Sequence, residues 1–201
     1  DQYSGLGRLE LEDGSSYQGQ FAHGKPNGEG QRGDASGNQF TGHFVDGQLE
    51  GNGTFNSADG DIYVGGFKNN QLHGKGRYEN ADGDVWLGVF KEGSLNGKGE
   101  MIGADGSHYI GQFNDWRFTG QGRLNLPDGS FYIGQFDVDN YNGHGTLVLT
   151  DGTVQNGTWI NGQRVRDADG KLLPDPLELG LLAQGRLLAD ALANVPASTP
   201  A

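Results

Sequence analysis

Aromatic residues recur along this chain at alternate positions around a glycine, and the pattern returns every 23 residues. The first copy reads Tyr17-Gln18-Gly19-Gln20-Phe21. Phe40-Gly42-Phe44, Tyr63-Gly65-Phe67, Trp86-Gly88-Phe90, Tyr109-Gly111-Phe113 and Tyr132-Gly134-Phe136 follow in the same register, and Gln155-Gly157-Trp159 is a degraded seventh copy. Alternation with a period of two predicts a β-strand, with both aromatics and the central glycine on one face and polar residues on the other. A Gly-x-Gly pair recurs at the same period, at Gly5/Gly7 before the first copy and then after each of the first six copies, from Gly28/Gly30 to Gly143/Gly145. A turn glycine, at Gly14, Gly37 and onward to Gly152, closes each period and is preceded by Asp everywhere except at Ser36. The three series keep step without insertion or deletion, as a repeat architecture requires.

Each copy therefore predicts a hairpin. After Phe21 a loop of about six residues, containing Gly24 and Asn27, leads to Gly28-Glu29-Gly30. This opens a return strand whose glycines are expected opposite Phe21 and Gly19. An aromatic ring laid over a cross-strand glycine covers bare backbone. The return strands offer Leu9, Arg32, Phe55, Tyr78, Met101, Leu124 and Leu147 to the same face. An Asp-Gly turn then sends the chain into the next copy. Copies joined this way stack into an antiparallel meander roughly 65 Å long. The loop glycine of Gly24, Gly47, Gly93 and Gly162 is replaced by Asn70, Trp116 and Asp139. Tryptophan adopts left-handed backbone only at a cost, so the loop at Trp116 is expected to differ in shape.

Composition agrees with a repeat and excludes several chemistries. Glycine supplies 38 of the 201 residues and hydrophobic residues 33%, which is poor material for an ordinary globule. The 10% aromatic content argues against disorder. A net charge of −12 with scattered Lys and Arg leaves no basic patch, so nucleic acid is excluded as a partner and membrane lipid is disfavoured. The absence of cysteine removes thiolate nucleophiles, disulfides and Cys–Zn sites, and leaves the compartment open, cell envelope or cytoplasm. No apolar run reaches the length of a membrane span.

Tyr-x-Gly-x-Phe, Gly-x-Gly and Asp-Gly at this period resemble the MORN (membrane occupation and recognition nexus) repeat over roughly residues 5–162. The resemblance implies an all-β, single-layer antiparallel meander of about seven hairpins, twisted into a groove with its aromatics inside. The candidate groove-lining residues are Tyr17, Phe40, Tyr63, Trp86, Tyr109 and Tyr132, with Trp116 beside them.

The array is expected over residues 1–165, beginning within a copy, since a Gly-x-Gly strand appears without the aromatic strand before it. After Gly162 the period stops. Residues 166–174 read as a connector with a turn from Asp167 to Gly170. Pro174-Asp175-Pro176 makes a good helix entry, so a leucine-rich C-terminal helix is expected over 175–194, capping the sheet edge or docking on another domain. Residues 195–201 read as an extended linker toward a further domain. The stretch from Arg166 to Leu188 resembles the segment that joins MORN arrays to legumain-like, caspase-fold cysteine peptidase domains of bacterial proteins. That implies the non-catalytic N-terminal part of such a peptidase.

Other motifs yield to the repeat. Gly28-Glu-Gly30-Gln-Arg-Gly33 matches a dinucleotide fingerprint in letters, but a strand follows it where the fingerprint needs a helix. Asp59-Gly60-Asp61, the Asn80–Asp84 segment and the Asp167–Gly170 segment lack the closing glutamate of a calcium loop. His23, His43, His73, His108 and His144 fall at unrelated repeat positions, and no cofactor, metal or catalytic constellation emerges. The leading expectation is a protein-interaction or scaffolding module whose partner is a protein or peptide, a peptidase domain in cis or a second copy. Lipid-headgroup binding and a carbohydrate-binding or glycosidase-like aromatic groove are the alternatives.

Overall fold

In the computed structural model, residues 2–174 are described. The helix expected over 175–194 and the linker over 195–201 lie outside the described residues. Within them the chain forms one open sheet of fifteen antiparallel strands in strict sequence order, from β1 (Gly5–Glu10) to β15 (Gln163–Arg166). Outgoing strands of seven residues, such as β2 (Ser16–Ala22), alternate with return strands of nine, such as β3 (Lys25–Gly33).

The expected loop of about six residues is a two-residue turn. His23 and Gly24 both have positive φ, 52° and 75°, which twists the two strands together in their natural sense. The remaining residues enter the return strand, which carries a bulge. Gly19 pairs with Gly30, but Phe21 pairs with Pro26 and not with Gly28. Gly28, at φ 94°, is the bulge residue and lies opposite Phe44 of the next copy. The far edge has a longer turn. Asp34 N–H donates to Asn38 O at 3.0 Å and Gly37 N–H to Asp34 O at 3.1 Å, with Gly37 left-handed at φ 89°.

This register places glycine against glycine throughout. Gly7, Gly19, Gly30 and Gly42 are successive cross-strand partners, and the row continues through every strand to Gly157. Aromatic rings lie over this bare strip. A Cβ at Gly122 would stand 2.5 Å from the Tyr109 ring, closer than any real contact. The rings also lock edge-to-face along the array, with centroids 5.1 Å apart for Tyr17–Phe44, Tyr63–Phe90 and Tyr109–Phe136. The buried hydrophobic core is this single aromatic face.

The period ends after Gly162, but a turn of the same kind forms at Asp167–Gly170. The final return strand is cut to four residues, and the turn after it keeps the same hydrogen bonds, Asp167 N–H to Lys171 O and Gly170 N–H to Asp167 O, both 3.0 Å. Leu173 N–H then donates to Val165 O at 2.8 Å.

Substitution of two glycines separates packing from turn geometry. Gly122→Ala should lower stability by about 2–3 kcal/mol through the collision with Tyr109. Gly93→Ala meets nothing within 4 Å and suffers only its left-handed φ of 86°, a cost of about 1 kcal/mol. Denaturant unfolding midpoints should show this order, and equal losses would contradict the role given to the glycine row.

Candidate functional site

The seven aromatic residues singled out by the repeat fall into two groups. Tyr17, Tyr63, Tyr109 and Tyr132 are buried. Each lies down on its glycine pair and donates its hydroxyl to the carbonyl three residues on, at Gln20 (2.8 Å), Gly66 (2.9 Å), Gln112 (2.7 Å) and Gln135 (3.0 Å). These four are the floor of the aromatic face. Burial pushes Tyr63, Tyr109 and Tyr132 up to about 12, against the opposing effect of the carbonyl bonds.

Phe40 and Trp86 behave differently because neither has a hydroxyl to anchor it there. In their copies a leucine from the return strand takes the place over the outgoing glycine. A Cβ on Gly42 would meet Leu49 at 2.9 Å, and one on Gly88 would meet Leu95 at 2.7 Å. Both leucines are fully buried. Phe40 and Trp86 pack against the core while half-buried, Phe40 on Phe55 with centroids 4.9 Å apart.

Trp116 joins them from the turn. Its loop was expected to differ in shape, yet Asp115 and Trp116 adopt the same left-handed pair as the other copies, φ 48° and 68°. Trp116 N–H donates to Leu95 O at 3.1 Å, the tie that Gly24, Gly47 and Gly93 make to Tyr3, Pro26 and Leu72. Asn70 and Asp139 use the same turn position to accept a second bond from the preceding rung, at Leu49 N and Phe118 N, both 2.8 Å. Trp116 instead sets its indole edge-to-face on Tyr78 (5.0 Å), Phe90 (5.3 Å) and Trp86 (5.9 Å).

The result is a hollow made of three neighbouring cavities that share Trp116 as a wall. One of about 310 Å³ is walled by Phe40, Phe55, Leu72 and Tyr78. A second of about 430 Å³ opens past Tyr78 and Trp86 to Asp61 and Asn80 at the turn edge. A third of about 480 Å³ runs over Trp86, Met101 and Phe118 to Asp115, Arg117 and Asp139 at the hairpin edge. Tyr78 donates to Asp61 Oδ2 at 2.6 Å; burial, and then this carboxylate, raise its phenol well above the usual range. Arg117 pairs with Asp139 at 2.7 Å, and Arg32 stacks on Phe40 at 4.8 Å while donating to Asn70 at 2.8 Å. Trp159 Nε1–H donates to Gly145 O. The indole N–H groups of Trp86 and Trp116 have no such partner among the described residues.

Aromatic and aliphatic side chains make up most of the hollow's walls. No histidine, serine or lysine lines it, and its one phenol, that of Tyr78, donates to Asp61. His43 and His108 pair with Glu29 and Glu100 in the outward series of the strands. Among the described residues no group of three or more His, Asp or Glu is placed to hold a metal ion. Phe55, Tyr78 and Met101 belong to the hollow although only their shared face was readable. The signal for them is the replacement of tyrosine at Phe40 and Trp86.

Six consecutive segments, residues 17–39, 40–62, 63–85, 87–108, 109–131 and 132–154, match the family model described as MORN repeat. No curated protein matches significantly. Among solved structures, the TCP domain of SAS-4 from Drosophila melanogaster, in complex with a proline-rich motif of Ana2, is 16% identical, with a TM-score of 0.41 over 83% of this chain and 86% of that one. The wild-type TCP10 domain of Danio rerio CPAP is 15% identical, with a TM-score of 0.31 over 84% and 98%.

The buried phenols have a pH consequence. A folded-state pKa of about 12 lies above the unfolded value of about 10. Their contribution is therefore complete below pH ~10 and is lost as pH rises through ~12. The urea midpoint should hold steady up to pH ~10 and then fall. A midpoint unchanged to pH ~12 would contradict the burial of these hydroxyls.

Proposed function

Because the chain belongs to the MORN repeat family, we propose that it is a non-catalytic protein-interaction module whose hollow around Trp116 takes apolar side chains of a protein or peptide partner. One observation carries this reading. Trp116 occupies a left-handed turn position that is glycine in four copies, at a backbone cost of about 1–2 kcal/mol. Strain of this kind points to a use for the side chain held there. What the indole gains is a wall of the hollow, beside half-buried Trp86 and Phe40. Aromatic anchors in such hollows are where binding energy concentrates.

The resemblance of Arg166–Leu188 to peptidase-linked arrays keeps a cis peptidase domain among the partners worth testing. Lipid-headgroup binding has no basic patch to support it.

Trp116→Gly tests the proposal, since glycine suits the turn and relief of backbone strain offsets part of the lost packing. A library of random short peptides selected on the wild-type protein should yield binders whose affinity falls about tenfold or more on this substitution. Ile133→Ala, in the outward series of its strand, should leave it unchanged. Failure to select any binder, or binders indifferent to Trp116→Gly, would overturn the proposal.

A further inference from the structure

The charge around the hollow narrows the partner, given the interaction role proposed above. The seven turns at 11–15, 34–38, 57–61, 80–84, 103–107, 126–130 and 149–153 hold ten Asp and Glu and no Lys or Arg. They line one long edge of the sheet, at two strands or about 10 Å per turn. These aspartates accept hydrogen bonds from neutral donors. Asp34 accepts from Asn38, Asp128 from Ser130, Asp61 from Tyr78 and Ala81, and Asp84 from Asn80 and Ala104. Among the described residues none of them forms an ion pair. Arg32 offsets part of the charge at Asp34, but the turns themselves carry no countercharge, so the field of this edge stays negative and adds along the row.

The hollow opens onto this edge at Asp61 and leaves the sheet at Asp115 and Asp139, where Arg117 neutralises only one of the two. An occupant thus meets an apolar interior with acid at both exits. It cannot join as an added strand in mid-sheet, because each interior strand is already paired on both sides. It must bind through side chains, with the free indole N–H groups of Trp86 and Trp116 available to its carbonyls.

We propose that the hollow binds a basic segment of a partner protein, in which an apolar anchor enters beside Trp116 and flanking Lys or Arg residues reach Asp61 and Asp84 at the turn edge. Acidic ligands are repelled by the same edge.

The peptide selection provides the test. Selected sequences should combine an apolar residue with net positive charge, and their dissociation constants, read from tryptophan fluorescence, should rise about tenfold between low and ~0.5 M salt. The double variant Asp61→Asn, Asp84→Asn should weaken them severalfold and flatten the salt dependence. Binders that need Trp116 but are neutral or acidic, or are indifferent to salt and to the double variant, would overturn this inference and leave the interaction role standing. Absence of any Trp116-dependent binder would remove both.

Discussion

A tyrosine ring can lie flat on a β-sheet only where the backbone beneath it carries no side chains, and this fold depends on that condition being met at every rung. The glycine row, running unbroken from Gly7 to Gly157, is a bare strip on which rings rest. Glycine is poor strand material, costing about 0.5–1 kcal/mol relative to alanine at each position. A fully buried aromatic returns about 1.5–3 kcal/mol. The balance favours the sheet because each buried tyrosine ring covers glycines on two strands and touches a ring of the next copy. A single layer thereby acquires a core without a second layer to pack against.

The same condition explains where the face opens. A tyrosine is held down by its hydroxyl on the carbonyl beside the bulge. Phenylalanine and tryptophan have no such anchor, so Leu49 and Leu95 fill the strip and the rings of Phe40 and Trp86 remain half-buried. Two exceptions on either side of Tyr63, together with an indole delivered from a strained turn, convert a sealed face into a hollow. The acidic turns have a separate origin in loop chemistry, where Asp carboxylates accept backbone and hydroxyl hydrogens. Their alignment follows from the constant period, which places like charges along one edge beside that hollow.

Much of this was legible in the sequence. The strands, their order and the pairing of Gly19 with Gly30 follow from period and alternation alone. The length of the return strand was not legible, because a bulge at Gly28 leaves no mark that distinguishes it from a loop glycine. The turn at Trp116 keeps the common shape against its local preference. Local preference disfavours tryptophan there, but the rung-to-rung bond from its N–H to Leu95 imposes the turn. Among the candidate residues, face could be assigned and depth could not. Tyr63 and Trp86 occupy equivalent positions, and only the competition with Leu95 for the space over the glycine separates core from site.

That competition is the central claim, and a crystal structure of the Trp86→Tyr variant tests it most directly. The new tyrosine should lie over Gly88 and Gly99, donate its hydroxyl to Val89 O and displace Leu95, closing the hollow beside Trp116. A tyrosine that stays raised, with Leu95 still seated over Gly88, would contradict the account.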